Sequence, residues 1–267
     1  MQLSHYIRKT LATTVVFSVM VLPAINELHK STLTVSRGSQ DLVQADPGRL
    51  VERGIEKLNR ENYQEAIEVF TEAVKNNPDL AIAYFKRGFA HFKLGEYQEA
   101  IADLNQVLRI NPEYATAYYN RGLLYAQLGE DQEAIADFTQ ALQINPEYAD
   151  AYDNRGRAHY QLGNYQKAIE DADQALQIDP NLAKAYLNRS AAHLGLGEYQ
   201  KAIEDADQAL QINPNLARAY FYWGLAHYQL GEDQEAIADL QKAAQLFLDQ
   251  GEQANYERTR TLIQKLQ

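Results

Sequence analysis

Prolines recur along this chain at a fixed interval of 34 residues, and each follows an asparagine or an aspartate. Glycines and alanines keep the same interval through the same part of the chain. The three series are Pro78, Pro112, Pro146, Pro180 and Pro214; Gly95, Gly129, Gly163, Gly197 and Gly231; and Ala66, Ala100, Ala134, Ala168, Ala202 and Ala236. An interval of this length, held by several residue types at once, predicts an array of structural repeats.

Each repeat is predicted to contain two α-helices, called A and B in chain order. Apolar residues follow a helical spacing within the unit, as Tyr118 and Tyr125 do. Asn111 is expected to cap helix A, with Pro112 at the first helical position, where its missing N–H costs nothing. Gly129 is expected to end helix A, because glycine adopts the left-handed conformation without a Cβ clash.

A second glycine series lies inside helix A. Glycine inside a helix costs about 1 kcal/mol relative to alanine, so its recurrence predicts a close approach to another backbone. The alanine series of helix B is the expected neighbour. The positions are Gly54, Gly88, Gly122, Gly156 and Gly224, with Ser190 at the remaining place.

In the unit from 115 to 148 the recurring residues are Tyr118, Gly122, Tyr125, Gly129, Ala134, Phe138, Ala141 and Pro146. This set resembles the tetratricopeptide repeat family, which has an aromatic residue, glycine, tyrosine, alanine and proline at these places. The resemblance implies an all-α fold: a right-handed α-solenoid of six helix-turn-helix units and a C-terminal capping helix. It also implies an inner groove lined by the A helices.

The array is predicted to contain six units followed by a last helix. The end units depart from the pattern: Glu61 replaces the turn glycine in the first, and Leu248 replaces the proline in the sixth. Residues 251–267 are predicted to form a capping helix that covers the last hairpin. The six units are residues 47–80, 81–114, 115–148, 149–182, 183–216 and 217–250.

Residues 1–26 are predicted to be a targeting segment, followed by a polar linker over residues 27–46. An uncharged run of 17 residues, 10–26, follows Arg8 and Lys9. A cleaved signal peptide fits this pattern, and so does an uncleaved anchor near the lower length limit for a membrane span. Because the basic residues precede the apolar run, the repeats are expected on the outer side of the membrane. The protein is predicted to be exported to a periplasm or lumen, or tethered to the membrane by this segment.

Composition and motifs argue against catalysis and against a cofactor. The chain has no cysteine, and its net charge of -11 argues against a nucleic-acid partner. It contains no phosphate-binding loop, zinc-protease motif or nucleophile elbow. Four histidines share one repeat position, and we expect them to pack between helices rather than hold a metal. They are His91, His159, His193 and His227. No catalytic residue, metal site or cofactor is predicted.

Arginine and aspartate recur at matched positions on the A and B helices. We expect ion pairs between neighbouring repeats that fix the register of the stack. The arginines are Arg53, Arg87, Arg121, Arg155 and Arg189, and the aspartates are Asp103, Asp137, Asp171, Asp205 and Asp239.

The candidate binding residues lie where the A helices are expected to line the groove. Asn120, Asn154 and Asn188 share one repeat position, which Lys86 and Tyr222 occupy in flanking units. An amide both donates and accepts, which suits the backbone of an extended peptide, and some tetratricopeptide proteins hold peptides with such a ladder. Alternatively, each asparagine bonds within its own helix or to the adjacent arginine. Helical spacing adds Phe85, Phe89, Tyr119, Asp153 and Arg157 to the predicted groove positions.

The sequence therefore predicts a non-catalytic scaffold that binds a peptide or protein segment in this groove. Its repeats resemble those common in photosynthetic bacteria, where related proteins assist the assembly of membrane complexes. The alternative is an accessory or regulatory subunit that positions an enzyme. The partner is predicted to be a protein or peptide, with membrane contact only through the N-terminal segment. We expect a monomer, because the capping helix opposes open-ended stacking.

Overall fold

The computed structural model describes residues 46–267, and the predicted targeting segment lies outside them. The described residues form thirteen α-helices and no strand, which confirms the all-α prediction. None of these helices is both long and apolar enough to cross a bilayer. The helices are α1 (Pro47–Asn59), α2 (Tyr63–Asn76), α3 (Ala81–Leu94), α4 (Tyr97–Ile110), α5 (Ala115–Leu128), α6 (Asp131–Ile144), α7 (Ala149–Gln161), α8 (Tyr165–Ile178), α9 (Ala183–Leu196), α10 (Tyr199–Ile212), α11 (Ala217–Leu230), α12 (Asp233–Asp249) and α13 (Gln253–Leu266).

The described helices fall into two compact units. The N-terminal unit contains α1–α6 and ends at residue 146, and the C-terminal unit contains α7–α13 and begins at residue 147. In each unit an A helix and the following B helix pack as a hairpin, and successive hairpins stack. The core of the N-terminal unit includes Phe70 and Leu104, and that of the C-terminal unit includes Leu240 and Phe247.

The A helices that follow the recurring prolines begin later than the sequence predicts, whereas α1 begins at Pro47. Helix α5 starts at Ala115, not at Pro112. The side chain of Asn111 accepts a hydrogen bond from the backbone N–H of Glu113 at 3.2 Å, so it closes a turn instead of capping the helix. The proline lies within that turn, where its fixed φ is equally suitable. The prediction that helix A begins at the proline is therefore wrong.

The ends of the A helices are as predicted. Gly95, Gly129, Gly163, Gly197 and Gly231 all adopt positive φ, between 77° and 82°. The backbone N–H of Glu96 donates to the carbonyl of His91 at 2.9 Å, which satisfies an otherwise unpaired carbonyl at the helix end. In the first hairpin Glu61 has a φ of 59°, and it is the only non-glycine residue with positive φ in the described range.

The internal glycines allow close contact between the two helices of a hairpin. A Cβ atom on Gly156 would lie 3.1 Å from the carbonyl oxygen of Ala168, which confirms the predicted glycine–alanine contact. Where serine replaces the glycine, Ser190 Oγ donates to the carbonyl of Ala202 at 2.7 Å. Gly88 and Gly224 lie against the equivalent alanines of their own hairpins, Ala100 and Ala236. Gly54 and Gly122 lie instead against the rings of Phe70 and Phe138.

The last helix, α13, packs against α12. Thr259 and Leu262 are its most buried residues, at 1% and 2% exposed. Leu262 joins the apolar cluster that contains Phe247, so α13 shields the apolar side of the last hairpin from water.

Candidate interaction site

The arginine series forms ion pairs inside each hairpin. Arg87 Nη2 lies 2.6 Å from Asp103, and Arg121 Nη2 lies 2.6 Å from Asp137, with each pair joining an A helix to its own B helix. Arg155 and Arg189 pair with Asp171 and Asp205 in the same way. The predicted pairing between repeats is therefore wrong for this aspartate series, because each lies on the helix packed directly against its arginine. Arg189 does make one ion pair between repeats, with Asp173 of the preceding B helix at 2.5 Å.

A second guanidinium nitrogen makes the contact between hairpins. Arg87 Nη1 donates to Thr71 Oγ1 at 3.1 Å, and Arg121 Nη1 donates to Asn105 Oδ1 at 2.6 Å. Each acceptor lies on the preceding B helix. Arginine thus links three helices, because its planar fork presents several donors in fixed directions.

A tyrosine completes this arginine clamp, the name we use for each arginine with its tyrosine and aspartate. The Arg87 guanidinium carbon lies 5.4 Å from the centre of the Tyr84 ring. Burial raises the pKa of Asp103, although Arg87 opposes that shift. The same arrangement recurs at Tyr118 and Arg121, Tyr152 and Arg155, and Tyr186 and Arg189. Since the arginine and the aspartate bind each other inside the hairpin, we assign the clamp to structure.

The first and last hairpins lack the clamp. Arg53 makes no ion pair with any described residue, because Val69 stands where later hairpins have the aspartate. In the last hairpin Trp223 replaces the arginine and donates from Nε1 to the carbonyl of Ile203 at 3.0 Å. The freed Asp239 pairs with His227 instead.

The histidine series contacts carboxylates of its own hairpins. His91 Nδ1 lies 2.6 Å from Glu96, and His193 Nδ1 lies 2.6 Å from Glu198. Burial lowers the pKa of His159, which has no acidic residue at the corresponding turn position. Within residues 46–267, no three potential metal-binding side chains converge.

In the C-terminal unit the predicted groove positions form a polar network across two A helices. Asn188 Nδ2 on α9 donates to Asp153 Oδ1 on α7 at 2.7 Å. Lys184, one turn earlier on α9, lies 2.5 Å from Asp150 and 3.6 Å from Asp153. Asn154 instead donates to the carbonyl of Asp150 at 2.8 Å within its own helix, as the alternative interpretation of the ladder required. We call Asp150, Asp153, Lys184 and Asn188 the polar network.

The network combines one buried charge with two exposed ones. Asp153 is only 3% exposed, and burial raises its pKa although Lys184, Asn188 and Arg157 oppose that shift. The side chains of Lys184 and Asp150 are 40% and 42% exposed. Tyr222 is largely buried, and burial raises its pKa. The network therefore presents a charged edge to solvent above a satisfied interior.

In the N-terminal unit several predicted groove residues lie in the core. Phe85 and Asn120 are 0% exposed and Tyr119 is 1% exposed, so these side chains offer a ligand no surface in this structure. Phe89 is 8% exposed, with the Lys93 ammonium 5.7 Å from its ring centre. The difference from the sequence-based expectation arises because bulky groups at these positions pack between adjacent helices.

Lys86, in contrast, is a buried cation in the N-terminal unit. It is 5% exposed and forms no hydrogen bond or ion pair with any residue of the described range. Burial lowers its pKa. Lys184 is the functional candidate that sequence reasoning missed. Its signal was available, because it stands 34 residues after the oppositely charged Asp150, at the same repeat position.

Sequence comparisons identify the family. Models described as TPR repeat match residues 57–95 and 90–129, and models described as tetratricopeptide repeat match 115–148, 149–182, 183–216 and 217–249. The chain therefore belongs to the tetratricopeptide repeat family, whose members typically mediate protein–protein interactions. Among curated proteins, none matches this chain.

Solved structures show the same fold. A crystal structure of MamA protein is 26% identical, covers 64% of this chain and 94% of its own, and has a TM-score of 0.60. A tetratricopeptide repeat protein from Parabacteroides merdae is 21% identical, covers 82% of this chain and 96% of its own, and has a TM-score of 0.67. YrrB, described as a TPR protein with an unusual peptide-binding site, is 23% identical over 68% of this chain and 94% of its own, with a TM-score of 0.57.

Proposed function

We propose that this protein is a non-catalytic scaffold that binds an extended peptide or protein segment on its A helices. The observation that carries the proposal is the polar network of the C-terminal unit, where Lys184 and Asp150 are half-exposed on adjacent A helices. The arginine clamps stabilise the hairpins without these residues, so the network is available for recognition.

An extended peptide fits this chemistry. Its backbone offers alternating N–H and C=O groups, and the exposed carboxylate and ammonium edges of the network can pair with either. YrrB, which shares the fold, is described as having a peptide-binding site. Membership of the family supports a protein or peptide partner over a small-molecule substrate.

The test is quantitative affinity capture with the full chain as bait. The variant Lys184→Ala/Asn188→Ala removes one cation and one amide from the network. Its matched control is Lys201→Ala/Gln208→Ala, which removes the same two groups from exposed positions on B helix α10. Circular dichroism checks that both variants remain folded.

We expect partners that the parent and the control retain and the network variant loses, with the contacting segment then mapped on overlapping synthetic peptides of the partner. Partners retained equally by all three proteins would contradict binding through the network. Partners lost from both variants would indicate a general defect in the surface rather than in this site.

We also propose that the protein acts as a monomer outside the cytoplasm, exported or tethered by residues 1–26, where it assists the assembly of a membrane complex. The support is the basic start and uncharged run of that segment. Fractionation and intact mass of the native protein test this. A soluble cytoplasmic protein that retains residues 1–26 would contradict it, and a concentration-dependent mass in sedimentation would contradict the monomer.

A further inference from the structure

The last hairpin keeps the kinds of residue that surround Arg189 in the hairpin before it, but it has no arginine. The Arg189 guanidinium carbon lies 5.5 Å from the Tyr186 ring centre. The guanidinium also pairs with Asp205 on its own B helix and with Asp173 on the preceding one. A set of groups that holds a guanidinium in one hairpin therefore recurs in the next without that cation. The corresponding residues one repeat later are Tyr220, Trp223, Asp239 and Asp207.

Trp223, which replaces the arginine, lies against α10. Its Nε1 donates to the Ile203 carbonyl at 3.0 Å. Asp207 follows Ile203 by four residues, so both lie on the same face of α10, next to the indole. The earlier hairpins support this placement, because in three of them the clamp arginine contacts the residue 16 positions before it. Asp207 stands 16 positions before Trp223.

Asp207 has no cationic partner within the described range. The Gln211 amide donates to it at 2.6 Å, but it forms no ion pair with any described residue. Its counterpart one repeat earlier, Asp173, lies 2.5 Å from Arg189 Nη1. Asp207 is partly exposed, so its charge can be reached from outside the protein.

An aromatic row on α11 offers a surface on which a planar cation can stack. The ring centres of Tyr220 and Trp223 lie 5.8 Å apart with their planes at 77°, and the His227 ring centre lies 6.4 Å from that of Trp223. All three side chains are partly exposed. A guanidinium is attracted to aromatic faces by their π electrons and to a carboxylate by its charge. The row and Asp207 together therefore suit arginine.

We propose that Asp207, Trp223 and Tyr220 form a binding site for an arginine side chain of a partner protein. The partner's guanidinium pairs with Asp207 and stacks on the indole, so it replaces the guanidinium that the chain itself supplies in the preceding hairpin. Arginine fits better than lysine, because its planar group combines stacking with several fixed N–H donors. The site shares no residue with the polar network, so it does not depend on the proposed function.

The test uses Trp223 as its own reporter, because it is the only tryptophan of the chain. The full chain is titrated at constant ionic strength with three acetylated, amidated tripeptides that have arginine, lysine or citrulline between two glycines. Citrulline has the shape of arginine without its charge. Concentrations extend to tens of millimolar, because a single side-chain contact binds weakly.

Two variants of α10 make the test specific. Asp207→Asn removes the carboxylate of the site. Glu204→Gln is the matched control, since it removes an exposed carboxylate of the same helix and changes the net charge equally. Circular dichroism checks that both variants remain folded.

We expect the arginine peptide to bind about tenfold more tightly than the citrulline peptide, with the lysine peptide between them. Asp207→Asn should remove most of this preference, and Glu204→Gln should keep it. This result would show that the carboxylate beside Trp223, and not the acidic surface in general, selects the cation.

Equal affinity for the arginine and citrulline peptides would overturn the site, and so would a preference that survives in Asp207→Asn. Equal affinity for arginine and lysine would overturn the assignment to a guanidinium. A parent protein whose fluorescence responds to none of the peptides would also overturn the site. None of these outcomes bears on the polar network, which affinity capture tests separately.

Discussion

The two units treat buried charge in opposite ways. In the C-terminal unit Asp153 accepts from Asn188 and lies near Lys184, so the chain supplies its own partners. In the N-terminal unit Lys86 occupies the same repeat position as Asn188 but has Val51 in place of the carboxylate. Burial moves both groups toward their neutral forms, raising the pKa of Asp153 and lowering that of Lys86. One repeat geometry can therefore either satisfy a buried charge internally or leave it without a charged partner.

The arginine clamps are common to both units, and removing one should have the largest effect on stability. We expect Arg121→Met and Arg189→Met each to lower the free energy of unfolding by about 3 kcal/mol, because each removes the guanidinium partner of a buried aspartate. Urea denaturation measures this. Arg53→Met is the control, with a change within about 0.5 kcal/mol, because the first hairpin has no clamp. A similar loss in all three variants would refute the assignment of stability to the clamp.

The polar network of the C-terminal unit gives the next largest effect. Lys184→Met removes the cation beside Asp153. We expect the free energy of unfolding to fall by roughly 1 to 2 kcal/mol at neutral pH, less than for the clamp, because solvent screens the half-exposed ammonium. The pKa of Asp153 in the folded state should rise further above its ordinary 3.8. The folded state then holds the proton to higher pH than the unfolded chain, so stability falls as pH rises between the two pKa values. Urea denaturation of the parent and the variant from acid to neutral pH measures the difference, and parallel profiles would contradict the prediction.

In the N-terminal unit, Lys86→Met should raise the free energy of unfolding rather than lower it. We expect the variant to be more stable by about 1 kcal/mol at neutral pH, because it removes a buried charge that lacks a partner. In the parent the folded-state pKa of Lys86 lies below its ordinary 10.5. The unfolded chain binds the proton more strongly between the two values, so the stability of the parent rises with pH in that interval. Urea denaturation at a series of pH values from neutral up to the ordinary pKa of 10.5 should show the stabilities of the two proteins converging, and a constant difference would argue against an unpaired Lys86.

Much of the fold followed from the sequence because the repeat imposes the same constraints many times. The left-handed glycines and the glycine–alanine contacts are local requirements that only small residues meet, so their positions predicted the turns and the helix packing. The helix start was missed because the asparagine oxygen of Asn111 can cap a helix or close a turn with equal ease. The arginine partners were missed because Arg121 reaches both its own and the preceding hairpin.

The candidate site was less predictable for a related reason. Register placed Asn120, Asn154 and Asn188 at one position, but their roles depend on the residues of adjacent helices. Asn154 bonds to its own helix, whereas Asn188 bonds across to Asp153. Spacing within one helix cannot distinguish these cases. Pairs separated by about one repeat, such as Asp150 and Lys184, carry that information.

The turns give the smallest contrast between the units. In the C-terminal unit every A helix is followed by a glycine with positive φ, whereas the first hairpin of the N-terminal unit has Glu61 at a φ of 59°. A left-handed conformation costs a residue with a side chain roughly 1 to 2 kcal/mol, and glycine avoids that cost but loses more entropy on folding. We therefore expect Glu61→Gly to stabilise the protein by about 0.5 kcal/mol. The reciprocal change Gly95→Glu should destabilise the next hairpin by a similar amount, because no atom would crowd a side chain at Gly95 and only the backbone conformation is unfavourable. Thermal denaturation of both variants measures the pair. If Glu61→Gly fails to raise the melting temperature, hydrogen bonds around residue 61 offset the backbone strain. If Gly95→Glu fails to lower it, the left-handed conformation costs a side chain less than expected at this turn.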